Sequence, residues 1–401
     1  VIIIRDILAN IQGLLGLEAL LLWGPRQVGK TTLLDQLALP TKIFFDDLHF
    51  REQANKDPAF LLLNITLPCL FDEVQYAANL FPEIKKRIDQ ERREKLKQEN
   101  NSPVQVKYYL TGSNTTLLDE KIKESLAGRC HLLTLHGLSV KELFSHFHEI
   151  HLPHIFFRGG FPALYTNLAL SVAHYLNDYI VSFIEKDIAR SAGVEKISDF
   201  HSVLRLLAAR TGQFLNVSEL ANTAGVDQKT VSHWISLLER NFIVTLVSPY
   251  HSNLSKRIVK MKKIYFNDVG LASRLQGHQD ENILWNSPQA GALFETLVFS
   301  ELIKTRDNYI KDWQIYTWRT KEKTEMDFIL QSGRTHFFIE AKLGIQNAKP
   351  FPLDSEALKV FPGPHQKIVV TAGEKLTPLD QDTMAVPIHL LGQYLLGSRM
   401  N

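Results

Sequence analysis

The sequence predicts an α/β protein: a parallel sheet, then a helical middle, then a second and smaller α/β portion. Three observations predict it. Over residues 1–150, short apolar runs alternate with helical stretches, the rhythm of parallel strands joined by crossover helices. From His151 this gives way to long helical patterns, HIFFRGGFPALY and HYLNDYIVSFIEKDIARSAG. From about Leu293 a helix, ALFETLVFSELIKT, precedes three strand-like runs, QIYTWRT, EMDFILQ and HFFIEAK.

Composition bounds the rest. The 401 residues carry 45 Lys+Arg against 43 Asp+Glu, a formal net charge of +2, and 45% are hydrophobic. Such a chain buries cores, and its length suits two or three domains. No apolar run is long enough to span a bilayer, and no membrane partner is expected. The opening VIIIRDILANIQGLL lacks the charged start and small-residue cleavage site of a signal peptide. Two cysteines, Cys69 and Cys130, cannot staple so long a chain, so the cytoplasm is the expected location. A secreted disulfide scaffold, a membrane protein and a disordered tail are excluded. The near-zero charge neither demands nor forbids nucleic acid; any basic surface must be local.

In chain order, the expected strands of the first portion are Ala19–Trp23, Lys42–Asp46, Leu67–Phe71, Val106–Leu110 and His131–Leu135. EIKKRIDQERREKLKQENN, from Glu83, mixes both charge signs at helical spacing, which reads as a solvated helix face rather than a nucleic-acid arm. Boundaries are expected to give 1–150 for the first domain, 151–204 for a helical linker or lid, 205–280 for a helix–turn–helix, and 281–401 for the last domain.

Residues 24–31 read GPRQVGKT, between an apolar strand and the helix TTLLDQLAL. This is the pattern of a phosphate-binding loop in its proper context. Glycines let backbone N–H groups curl toward phosphates ahead of a helix. Gly24, Pro25, Arg26, Gln27, Val28, Gly29, Lys30, Thr31 and Thr32 are therefore the expected ATP-binding residues. Lys30 would reach the β- and γ-phosphates and Thr31 would ligate Mg²⁺. In LPCLFDEVQ, Asp72 and Glu73 end an apolar strand, as a Walker B segment requires: Asp72 for the Mg²⁺ shell, Glu73 as general base toward the attacking water. A third strand, VKYYLTGSN, ends in Ser113 and Asn114, where a polar side chain can sense the γ-phosphate. Together these describe a P-loop NTPase sheet with an extra strand between the two Walker strands.

GPRQVGKTT, LFDEVQ, YYLTGSN and SLAGR resemble the N-terminal domain of a prokaryotic family of AAA-plus-type ATPases whose P-loop domain is joined to a C-terminal domain of unassigned function. GGFPALY, FIEKDI, GALFETLVFSEL and EMDFIL…FIEAKLG match that family's later landmarks, so the resemblance covers nearly the whole chain. It implies that Arg129, in SLAGR, is an arginine finger acting in trans within a homo-oligomer of the ATPase domain. A surface or strand-anchoring arginine is an equal alternative. Unlike hexameric unfoldases, the sequence has no convincing second sensor arginine in a lid.

Residues 215–247 carry a helix–turn–helix followed by a strand, the outline of a winged helix. Val217, Leu220 and Ala221 form one apolar face, Gly225 the turn, and Asp227 the cap of a second helix. In a DNA-binding version, Gln228, Lys229, Thr230, Ser232 and His233 face the major groove. Lys256, Arg257, Lys260, Lys262, Lys263 and Arg274 would contact phosphates. A purely structural joint is the alternative.

Asp327, Glu340 and Lys342 form the pattern D-x₁₂-E-x-K on two neighbouring strands, which resembles the core of restriction-endonuclease-like nucleases. Strand period two puts Glu340 and Lys342 on one face. Asp327 and Glu340, with Glu295 from the preceding helix and Glu325 as a spare, are the expected ligands of Mg²⁺ or Mn²⁺. Lys342 would steady the attacking water or the phosphate. Active cleavage, an inert scaffold and another role all stay open. The whole chain thus reads as an ATP-dependent DNA-processing enzyme or as a non-cleaving ATP switch.

Overall fold

The computed structural model describes residues 2–99, 102–113, 125–190, 193–250, 261–319, 325–353, 360–361 and 363–397. The fold is α/β and divides into two compact units. One comprises Ile4–His136 with Asp307–Ile310; the other comprises the residues before Ile4, Gly137–Arg306 and the chain from Lys311 onward.

The first unit is a P-loop NTPase sheet. Its strands β1 (Ala19–Trp23), β2 (Thr41–Phe44), β3 (Cys69–Asp72), β4 (Tyr108–Gly112) and β5 (Cys130–Thr134) are all parallel, in the order β2-β3-β4-β1-β5. β4 lies between β1 and β3, as the three motifs required. Strand alternation sorts β1 onto two layers. Leu20 and Leu22 join a cluster with Leu33 and Leu34 of helix α2 (Lys30–Asp35) and with Ile7 and Ile11 of helix α1 (Ile7–Gln12). Ala19 and Leu21 join Phe71, Leu110 and the buried Phe81, Ile84 and Ile88. Those last three belong to the charged helix, Leu80–Lys97, whose remaining faces are largely polar. A strand buried on both faces needs an unbroken apolar run, which ALLLW supplies.

The second unit begins with the helix Val140–His146, started by a capping box between Ser139 and Glu142. Helices Leu152–Arg158, Val172–Tyr179 and Ile197–Ala209 follow; the second of these continues with π-type winding through Ile180–Arg190. Next come the helices Val217–Ala224 and Gln228–Arg240 and a small antiparallel sheet. That sheet has the order β6-β8-β7, built from Gln213–Phe214 (β6), Val244–Val247 (β7) and Lys263–Phe266 (β8). The long helix Ala290–Asn308 leads into a mixed six-stranded sheet, β13-β14-β12-β11-β10-β9. Its strands are β9 (Trp313–Arg319), β10 (Glu325–Ser332), β11 (Thr335–Lys342), β12 (His365–Thr371), β13 (Thr377–Pro378) and β14 (Thr383–Pro387).

One apolar cluster runs through this unit, from Leu143 and Phe200 through Leu238 and Tyr265 to Phe299, Phe328 and Ile339. The landmark GGF has a steric cause. Gly159 has φ +72°, and a Cβ there would lie 2.1 Å from Asp268 Oδ1. Half-buried Asp268 accepts from Gly160 N at 2.7 Å and from Leu271 N at 2.9 Å. Among the described residues no helix is long and apolar enough to cross a membrane.

Candidate functional site

The loop after β1 is shaped by its glycines. Gly24 has φ +144°, and a Cβ on it would sit 2.1 Å from the Leu135 carbonyl oxygen, so no other residue fits. Gln27 (φ +64°) and Gly29 (φ +91°) are also left-handed, which wraps the loop around the Lys30 side chain. Lys30 Nζ donates to the carbonyls of Gly24 (3.1 Å) and Pro25 (2.9 Å). Burial pushes the ammonium down to about 8, with Glu73 and Asp72 pulling it partly back and Arg26 adding to the fall. Behind the loop, Arg5 donates to the carbonyls of Val28 (2.9 Å) and His136 (2.7 Å).

Asp72 ends β3 beside this loop. It accepts from the Thr31 hydroxyl at 2.8 Å and from the Thr111 hydroxyl at 2.5 Å, both on Oδ1. Burial raises its pKa, and the two hydroxyl donors oppose the rise. Glu73 turns left-handed, φ +54°, and its backbone N–H donates to the same Thr111 oxygen at 3.0 Å. Its carboxylate accepts from Ser113 Oγ at 2.9 Å and from Gln75 Nε2. Thr31 Oγ1 and Asp72 Oδ1 are the hard oxygen donors that suit Mg²⁺, so this pair fits the ion. Thr111 and Gln75 were not singled out in the sequence, although both lie inside the motifs YYLTGSN and LFDEVQ. Asn114 lies outside the described residues.

Arg129 lies just ahead of β5. Its Nε is 2.6 Å from Asp89 Oδ1, and Nη1 donates to the Ala127 carbonyl at 2.8 Å. The arginine thereby ties the charged helix to the start of β5 and holds the Asp89 carboxyl below its usual range.

In the second unit, Gly225 (φ +67°) closes the turn between the two helices, and Asp227 accepts from the N–H groups of Lys229 (2.9 Å) and Thr230 (3.2 Å). Gln228, Lys229, Ser232 and His233 are exposed on the second helix and Thr230 is half-buried. The expected basic cluster needs correction. Lys263 is only 2% exposed, so it cannot meet a phosphate backbone. Arg274 Nε donates to Asn177 Oδ1 at 2.8 Å. Lys262 is half-buried, and Lys256, Arg257 and Lys260 lie outside the described residues.

Lys263 belongs instead to the C-terminal acids. From β8 its Nζ reaches Glu295 Oε1 (3.1 Å) on the long helix and Glu325 Oε1 (2.6 Å) at the start of β10. Tyr265, on the same face of β8, donates to the same Glu295 oxygen at 2.6 Å. The register of β10 against β9 shifts between Met326 and Ile329, the stretch that contains Asp327. Asp327 Oδ2 accepts from the Ala341 N–H at 2.8 Å, between Glu340 and Lys342, which pair at 2.8 Å. The D, E and K positions thus meet at one place, with Glu295 beside them. Burial, and next the neighbouring Asp327, together raise Glu295 to about 7 against the pull of Lys263 and Tyr265. Burial likewise lifts Asp327 and Glu340, the latter also through Asp327. Burial works against the charge on Lys263, but Glu295, Glu325 and Asp327 outweigh it.

The expected metal centre of Glu295, Asp327 and Glu340 needs correction too. Among the described residues no three His, Cys, Asp or Glu side chains are grouped closely enough to hold a metal ion. The physical reason is on the page: Glu295 and Glu325 are already turned onto the Lys263 ammonium, and Asp327 onto a backbone N–H. As placed, these residues do not fit a divalent ion. Lys263 and Tyr265 were missed as members of this site. The alternation in KKIYF, which sets a lysine in line with Tyr265 on a strand, is the signal that could have found them.

Three family models match the chain. Residues 17–144 match an AAA domain, residues 150–282 a domain of unknown function (DUF8612), and residues 290–391 another domain of unknown function (DUF4143). An uncharacterized protein of Mycobacterium bovis and one of Mycobacterium tuberculosis are each 30% identical over 323 residues, spanning 79% of this chain and 69% of their own. An uncharacterized protein of Haemophilus influenzae is 25% identical over 257 residues, 59% of each chain. Among solved structures, the Aeropyrum pernix ORC2 protein in its ADP form superimposes with a TM-score of 0.25 at 12% identity, covering 58% of this chain and 82% of that one. The Aeropyrum pernix ORC1 protein in complex with DNA gives 0.24 at 13% identity, covering 67% and 89%.

Proposed function

The chain belongs to one family with these mycobacterial proteins and carries an AAA domain, and from that premise we propose that it binds and hydrolyses ATP at the loop Gly24–Thr32. The observation that carries the reading is the hydrogen bond from the Thr31 hydroxyl to Asp72, which joins the loop after β1 to the end of β3 across the intervening β4. Lys30 exchanges its two carbonyl acceptors for the β- and γ-phosphate oxygens, which compete better for an ammonium. Thr31 and Asp72 would hold Mg²⁺, whose contribution when bound is to neutralise charge on those phosphates. Glu73, once free of Ser113 and Gln75, accepts a proton from the attacking water. Arg129 serves a neighbouring copy in a homo-oligomer only after leaving Asp89.

The test is ATP binding and phosphate release by the full chain. Lys30→Ala should lose nucleotide binding altogether; an unchanged affinity for that variant sinks the assignment.

We further propose that the helix Gln228–Arg240 contacts DNA. Support comes from the exposed row Gln228, Lys229, Ser232 and His233, and from the β7–β8 pair that follows it as the wing of a winged helix would. A gel-shift series across salt concentrations tests this. Gln228→Ala with Lys229→Ala should change preference between sequences, and no binding at low salt removes the reading. Cleavage at the C-terminal cluster is a second reading. The meeting of Asp327, Glu340 and Lys342 favours it, and the absence of grouped metal ligands among the described residues opposes it.

A further inference from the structure

The cluster of Glu295, Glu325, Asp327 and Glu340 is supplied with a cation by the chain itself. We propose that Lys263 takes the place that the cleavage reading gives to a divalent ion, so that the site is closed to metal for as long as β8 holds the lysine there. The inference rests on that reading for the choice of acids and departs from it on what neutralises them.

Three observations carry it. The lysine is 2% exposed and points its ammonium between carboxylates from two different elements, at 3.1 and 2.6 Å. Tyr265 adds a 2.6 Å donor to the same oxygen of Glu295, so that oxygen has no direction left for a metal bond. β8 is the central strand of its sheet, with Lys263 paired to Phe214 on one side and to Val247 on the other. The side chain therefore cannot swing aside by bending an edge strand.

A metal entering between Glu295 and its neighbours would have to expel the ammonium. That would leave a buried lysine without a partner, which is far costlier than losing an exposed pair. Removing the lysine reverses the balance. Four carboxylates then face Lys342 alone, and their mutual repulsion is relieved by a divalent cation.

The experiment measures Mn²⁺ binding by electron paramagnetic resonance. It uses the nucleotide-free full chain in a Thr31→Val, Asp72→Asn background, which removes the pair that would hold a metal in the first unit. Lys263→Gln should bind Mn²⁺ at least about tenfold more tightly than its parent, and Lys263→Arg should match the parent, since it keeps the charge. Lys263→Gln risks poor folding, so Lys263→Gln combined with Glu325→Gln removes both charges of the closer pair and should also bind more tightly. Circular dichroism melting establishes that each variant is folded. A parent that binds as tightly as the variants, or folded variants that bind nothing, overturns the inference. A plasmid-nicking arm separates the two readings. A variant that takes up Mn²⁺ and nicks nothing removes cleavage and leaves the role of Lys263 standing. Nicking by the parent with Mn²⁺ supports cleavage and overturns the closure.

Discussion

Each unit buries a lysine beside carboxylates, Lys30 in one and Lys263 in the other, and the two arrangements differ in what the charges touch. In the first unit Lys30 donates to neutral carbonyls at 2.9 and 3.1 Å, while Asp72 is held by two hydroxyls. Neither charge is neutralised by direct pairing, and the ammonium is depressed to about 8 by burial. In the second unit Lys263 pairs with Glu295 and Glu325, and Lys342 with Glu340. The first site holds its charges in reserve for a ligand of opposite sign. The second has largely spent them on itself. Proximity of acids and lysines in a sequence does not separate these cases; the partner atoms do.

The largest expected effect that tests this contrast is on stability. Lys263→Ala should destabilise the chain by about 3–5 kcal/mol, because it strands the largely buried Glu295 without its cation. Lys30→Ala should cost less than about 1 kcal/mol, because it removes only bonds to carbonyls and relieves the burial of a charge. Urea unfolding of both variants without nucleotide measures the difference, and equal losses would erase the distinction. Next, Glu73→Gln should retain ATP affinity and lose turnover by about 10²–10³-fold, the range for removing a general base. Turnover at the parental rate would make Glu73 a purely structural hub for Thr111 and Ser113.

A smaller effect follows from the depressed Lys30. Burial holds the ammonium down at about 8, and phosphate beside it would raise that value. Nucleotide affinity should therefore be flat below pH 8 and fall by up to about tenfold for each pH unit above it, with a proton taken up on binding. Titration calorimetry at pH 9, in buffers of different ionisation enthalpy, reads that proton directly. The smallest effect belongs to Arg129→Ala. Its partly exposed pair with Asp89 should be worth less than about 1 kcal/mol in thermal unfolding. A specific activity that rises with protein concentration in the parent, and not in this variant, would show that the arginine also serves a second copy.

The first unit was legible because its chemistry is contiguous. GPRQVGKT and LFDEVQ each sit within one strand–loop stretch, and parallel strands bring their ends together whatever the intervening loops do. All five strands lie within two residues of where the apolar runs placed them. Thr111 was not read, because a threonine inside an apolar strand is an ordinary β residue until the strand order puts it against Asp72. The second unit was harder for a related reason. Its cluster draws on β8, the long helix, β10 and β11, and no local pattern announces that a lysine 64 residues before Asp327 will sit among the acids. Net charge gave no help, since a buried lysine and a surface lysine count alike.

The left-handed turn at Glu73 has a consequence for how the chain responds to selection. A non-glycine residue at φ +54° carries about 1 kcal/mol or more of backbone strain. Glu73→Gly or Glu73→Asn would release part of it, while removing or shortening the acid that the proposed hydrolysis needs. A library screened only for heat resistance should therefore enrich such replacements, and the same library screened for ATP turnover should reject them. If Glu73 is the base of the proposed hydrolysis, durability and turnover make opposite demands on this one position.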